Sequence, residues 1–125
     1  MIELFPTGSR VESGVLRLDG LAATELAARF GTPLVVYSEG ALRERARLFR
    51  RAAPEALVVY GTKAFPNVAV MRLLAEEGIG ADVSTLGELA FARRAGITGE
   101  RLIVQGKKKA DEELRAAAEG EAFLG

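Results

Sequence analysis

Lys63 ends an apolar run, Ala56-Leu57-Val58-Val59-Tyr60, and stands just before a helix-opening turn, Ala64-Phe65-Pro66-Asn67. A primary amine at the carboxyl end of a buried strand lies where α/β proteins gather ligands and catalytic groups. Partial burial makes such an amine lose its proton more readily, and the neutral amine can attack a carbonyl carbon. The other reading of this residue is a solvated charge closing a strand. Two carboxylates follow at the next strand end: Asp82, within Gly80-Ala81-Asp82-Val83-Ser84, and Glu88, three residues after Thr85. An aspartate near an amine orients it or balances charge on it. Thr85 and Glu88 have the spacing of a capping box, so Glu88 can serve a helix start, a site, or both. A third strand end carries Gln105-Gly106-Lys107-Lys108-Lys109, readable as a phosphate-binding patch or as a solvated loop.

The elements that must hold these residues alternate. From residue 33 onward the pattern is strand, helix, strand, helix, which argues for an α/β fold with a parallel sheet. Leu34-Val35-Val36-Tyr37 reads as a strand, and Ser38 as the cap of a helix with Leu42, Ala46 and Phe49 on one stripe. After the Lys63 strand, Pro66 suits the first helical turn; Val70, Met71, Leu73 and Leu74 form an apolar face, and Gly78 is the stop. Gly80–Ser84 is the next strand, and the helix opened by Thr85 turns Leu86, Leu89, Ala90 and Phe91 inward before stopping at Gly96. Leu102-Ile103-Val104-Gln105 is a further strand, followed by an acidic-start helix from Asp111 to about Glu119. Ala122-Phe123-Leu124 begins another strand, expected to lack a partner. Ahead of this series, Val15, Leu16 and Leu18 suggest a short extended piece, and Ala22 to Phe30 a helix ending at Gly31. The expected division is thus a leader over 1–32 and an incomplete β/α domain over 33–125. Strand-helix units of this size build (β/α) barrels, which typically need about 250 residues.

Composition narrows the chemistry. With 125 residues, 49% of them hydrophobic and 27% charged, the chain has the make-up of one soluble globular domain. Seventeen basic residues balance seventeen acidic ones, so no global field recruits nucleic acid or an anionic membrane. The chain has neither cysteine nor histidine, so it supplies no disulfide, thiolate metal site or Ser-His pair. No signal-like start or membrane-length apolar stretch is present, and a cytoplasmic address is expected.

Three segments occupy equivalent strand ends: Tyr60-Gly61-Thr62-Lys63-Ala64, Asp82-Val83-Ser84-Thr85-Leu86-Gly87-Glu88-Leu89, and Gly106-Lys107-Lys108-Lys109. Their order and spacing resemble the fold-type III pyridoxal-phosphate enzymes, and within them the diaminopimelate decarboxylase family, whose motifs run Tyr-x-x-Lys-Ala, Asp-Val-x-Ser-x-Gly-Glu-Leu and Gly-Asn-Asn-Lys. Arg17-Leu18-Asp19-Gly20 and Gly31-Thr32-Pro33-Leu34-Val35-Val36-Tyr37-Ser38 look like that family's entry into its barrel. The resemblance implies a partial (β/α)8 TIM-like barrel with about half the barrel present. It makes Lys63 the residue that binds pyridoxal 5'-phosphate covalently, with Asp82 beside it in the cofactor pocket and Glu88 supporting.

The implied activity of the complete protein is decarboxylation of meso-diaminopimelate to L-lysine and carbon dioxide, in a homodimer. Lys107 and Lys108 stand where the family has asparagines, Gln105 where histidine is common, and Phe65 where a related segment has asparagine. The family's histidine-bearing segment, glycine-rich phosphate turn and partner-subunit cysteine segment have no match here, so this chain is expected to be an inactive fragment on its own. Two unpaired strand edges would favour association. Other fold-type III amino-acid decarboxylases or racemases, a non-catalytic pyridoxal-phosphate-binding protein and a small cofactor-free βαβ module are the alternatives.

Overall fold

Two sheets organise the chain, an antiparallel one of three strands and a parallel one of four. The computed structural model describes residues 2–105, 115, 118, 119 and 123–124. The chain divides into two units, Met1–Arg45 and Ala46–Gly125.

In the first unit, β1 (Arg10–Glu12), β2 (Val15–Leu18) and β3 (Leu21–Ala22) form a meander. Both hairpins turn on two residues with positive φ, Ser13 and Gly14 at 51° and 78°, then Asp19 and Gly20 at 47° and 84°. Such turns match the twist of the strands they join, and Asp-Gly is a strong signal for them. The expected extended piece at Val15–Leu18 is therefore the centre of a small sheet. Helix α1 (Ala23–Phe30) follows and ends where the Gly31 amide bonds to the Ala27 carbonyl at 2.8 Å. The strand expected at Leu34–Tyr37 has no ladder partner, and its side chains are 40–78% exposed. An apolar run becomes a strand only when a neighbouring strand pairs with it, and no strand among the described residues does. Leu34 and Val36, with Phe5, Pro6, Leu18 and Ser38, line a groove of about 210 Å³.

Helix α2 (Glu39–Ala52) opens as the sequence suggests, with the Ser38 hydroxyl accepting the Ala41 amide at 3.0 Å. Its expected stripe is only partly inward: Ala46 is buried, whereas Phe49 is 56% exposed.

The second unit alternates β4 (Val59–Gly61), α3 (Val68–Glu76), β5 (Gly80–Val83), α4 (Leu86–Arg94) and β6 (Leu102–Val104). The sheet order is β4-β5-β6-β7, every pairing parallel, with β7 at Phe123–Leu124. The terminal strand thus does have a partner: Ile103 lies opposite Phe123 and Val104 opposite Leu124. The lysine strand starts later than expected, at Val59 rather than Ala56. Arg115, Ala118 and Glu119 are helical, within the span expected for the last helix.

Each helix is set by local chemistry. Asn67, rather than Pro66, stands at the start of α3, and its side-chain oxygen accepts the Ala69 and Val70 amides at 2.9 and 3.1 Å. Pro66 precedes the cap. Both α3 and α4 end in the same double bond pattern. The Gly78 amide bonds to Ala75 and the Ile79 amide to Leu74, while Gly96 bonds to Arg93 and Ile97 to Ala92, all at 3.0 Å. A left-handed glycine followed by an apolar residue that packs inward is the Schellman stop, and Ile79 and Ile97 are both buried. The α4 face differs from expectation, since Leu89 and Ala92 are buried while Leu86, Ala90 and Phe91 are exposed.

The core of this unit joins Met71, Leu89, Ala92, Ala95 and Ile97 to Ala81 and Val83 of β5 and Leu102 and Val104 of β6. Gly80 lets the central strand fit, because a Cβ there would lie 2.3 Å from the Arg101 carbonyl oxygen.

Candidate active site

Side chains alternate across a sheet, and register partners in neighbouring strands share a face. Tyr60, Ala81 and Leu102 are partners on the face packed in the core. Gly61, Asp82 and Ile103 are therefore partners on the opposite face. Gly61 brings no side chain there, and a Cβ at that position would meet nothing within 4 Å. Asp82 thus stands beside open space at the carboxyl end of the sheet. Its Oδ1 atom is buried with no hydrogen-bond partner among the described residues, an arrangement that costs free energy unless a donor is supplied.

Directly after β4 comes a single 3₁₀ turn, Thr62–Ala64, that bears Lys63. Thr62 is completely buried, with its hydroxyl 2.9 Å from the Asp82 carbonyl oxygen and 2.8 Å from Glu88 Oε2. The same Glu88 oxygen accepts the Ser84 amide at 2.8 Å, and the Thr85 hydroxyl accepts the Glu88 amide at 3.2 Å. Half of the expected capping box is therefore present, while the Glu88 carboxylate reaches past the cap to Ser84 and to the lysine turn. On the other side of the turn, the Tyr60 hydroxyl donates to the Phe65 carbonyl at 3.2 Å.

Lys63 itself is exposed, contrary to the sheltered position expected for it. The turn sends Thr62 inward and leaves its neighbour outward. The structure brings the lysine turn, Asp82 and Glu88 together at one end of the sheet through Thr62. Gly106, Lys107, Lys108 and Lys109 lie outside the described residues. Thr62, Ser84 and Tyr60 are parts of the arrangement that sequence reasoning assigned no role. A threonine at a strand end reads as a strand former, and only the neighbouring Glu88 shows what its hydroxyl does.

An amine, a buried carboxylate oxygen lacking a donor and open space on the same sheet end can receive a carbonyl compound and hold a positive nitrogen near Asp82. Among the described residues no group of histidine, cysteine, aspartate and glutamate side chains could hold a metal ion, and no helix is long and apolar enough to cross a membrane.

Diaminopimelate decarboxylase of Actinosynnema pretiosum subsp. auranticum is 53% identical over 114 residues, 91% of this chain and 26% of that protein. The crystal structure of AQ1208 from Aquifex aeolicus superposes with a TM-score of 0.88 at 40% identity, covering 93% of this chain and 29% of that one. Diaminopimelate decarboxylase from M. jannaschii in co-complex with L-lysine gives a TM-score of 0.81 at 34% identity, over 93% and 29% of the two chains. The chain spans about a quarter of the length of the curated relatives it matches. The family model for the pyridoxal binding domain of pyridoxal-dependent decarboxylases matches residues 39–123, from the start of α2 into β7. By that match, which takes in the lysine turn and both carboxylates, the chain belongs to the pyridoxal-dependent decarboxylases.

Proposed function

We propose that this chain supplies the lysine-bearing part of the active site of a pyridoxal-phosphate-dependent decarboxylase that converts meso-diaminopimelate to L-lysine and carbon dioxide. The observation that carries the reading is the Lys63 turn, bonded through Thr62 to the segment holding Asp82 and Glu88. Sequence identity to diaminopimelate decarboxylases supports the choice of substrate. The residues present fit an aldehyde cofactor in two respects. Lys63 offers the amine, and Asp82 offers an acceptor that no donor among the described residues meets, beside space left by Gly61.

When bound, pyridoxal phosphate takes up the electron pair left by the departing carboxylate. The ε-amine of Lys63 would hold the cofactor's aldehyde carbon and, when free of it, would serve as a base or acid for proton movement. Asp82 Oδ1 holds a protonated nitrogen next to the sheet end. Glu88 holds the Thr62 hydroxyl, one residue before Lys63, and the Ser84 amide, two residues after Asp82. The four-stranded parallel sheet is read as part of a (β/α)8 barrel, 33–125, with 1–32 as its leader. The whole protein is read as a homodimer by the family resemblance, and as cytoplasmic.

The test is borohydride reduction of the full chain with pyridoxal phosphate, peptide mapping, and a carbon dioxide release assay on meso-diaminopimelate. A label on Lys63 that disappears in Lys63→Ala, together with release by the complete protein, is the expected result. A label on some other residue overturns the assignment, and a label on Lys63 without release turns the reading to a cofactor-binding protein.

A further inference from the structure

We infer that Thr62 is a positioning residue for Lys63, acting through its hydroxyl contact with Glu88 and the Asp82 carbonyl. This rests on the reading of Lys63 given above and adds a residue to it.

Ser38 and Thr62 are the buried polar residues among the described ones. Ser38 is accounted for by the helix it caps. Thr62 caps nothing: its hydroxyl leaves its own segment and meets groups of β5 and α4, at 2.9 and 2.8 Å. The element it anchors is weak by itself. A three-residue 3₁₀ turn has poor hydrogen-bond geometry, and this one starts at Gly61 without a side-chain cap. The backbone that carries Lys63 therefore owes its placement to side chains around it, namely the Thr62 hydroxyl before the lysine and the Tyr60 hydroxyl that closes onto Phe65.

One hydroxyl hydrogen lies within reach of two acceptors, so either contact persists if the other lengthens. An amine on an exposed side chain has many rotamers. Fixing the atoms at its root reduces how far its nitrogen wanders from Asp82, and misplacement by even about 1 Å is enough to slow a reaction strongly.

Thr62→Val keeps the shape and removes the hydroxyl, whereas Thr62→Ser keeps the hydroxyl and removes a methyl group. The full chain and both variants are mixed with pyridoxal phosphate, and the growth of the cofactor's absorption band and the borohydride-trapped label on Lys63 are followed, with thermal unfolding alongside. The expected result is a band and label that form about tenfold more slowly in Thr62→Val, the effect of one lost hydrogen bond, and close to the parental rate in Thr62→Ser. Parental rates in Thr62→Val, or equal slowing in both variants, overturn the inference and leave the role of Lys63 intact. Absence of label in the parent overturns both. Should Thr62→Val not fold, Thr62→Ala, which is smaller than the residue it replaces, stands in the same comparison against Thr62→Ser.

Discussion

Gly61 and Asp82 lie opposite each other across β4 and β5, and the pair defines the room available at the sheet end. Gly61 has a φ of −70°, which any residue adopts, and open space around its Cβ position. Its smallness therefore serves neither the backbone nor the packing. Gly61→Val is expected to leave the unfolding midpoint within about 1 kcal/mol of the parent, while the borohydride label on Lys63 falls severalfold. An unchanged label would mean that the space beside Asp82 is not where the cofactor sits. In the sequence Lys63 was conspicuous as a charged residue following an apolar strand, whereas Asp82 and Glu88 were singled out by the family resemblance. The sequence could not reveal the burial of Thr62, since a threonine carries the same signal whether its hydroxyl faces a carboxylate or water. Nor could it reveal the exposure of Lys63, which depends on how a three-residue turn is wound.

At the scale of elements, helices α3 and α4 owe their limits to a few atoms. Asn67 takes two amides that α3 cannot satisfy internally. Asn67→Ala should cost about 1 kcal/mol, read as a lower denaturant midpoint with an unchanged slope. Loss of much less would show that Pro66 and packing set the start of the helix unaided. Glycine stops and caps were legible beforehand, because Gly78, Gly96, Ser38 and Thr85 act through their own local chemistry. The faces of α2 and α4 were harder to read. Phe49 and Phe91 are apolar yet exposed, and periodicity cannot tell which of two apolar stripes finds a neighbour. The meander of the first unit was hidden for a different reason. Ser13-Gly14 and Asp19-Gly20 are turn pairs visible in the sequence, but strands as short as Arg10–Glu12 and Leu21–Ala22 carry too few residues to show an alternation.

For the molecule as a whole, the parallel order of β4 to β6 followed from the alternation of strand and helix signals. The partner of Phe123–Leu124 did not, because pairing is decided by distant residues. Leu34–Tyr37 is the counterexample, an apolar extended run that no strand among the described residues pairs with. Val35 is the most exposed of the four, at 78%, and an exposed apolar run favours association. Val35→Lys is expected to lower the sedimentation coefficient of this chain at high concentration without changing its melting temperature. Equal association in parent and variant would place the contact elsewhere.

The repeated Gly-Ile ending of α3 and α4 has a bearing on how such a molecule grows. Each helix closes on the same pair of backbone bonds and buries one branched side chain directly after its glycine, although Ile79 leads straight into β5 whereas residues 98–101 separate Ile97 from β6. A stop written in two residues can thus be reused at successive helix ends whatever the length of the link that follows.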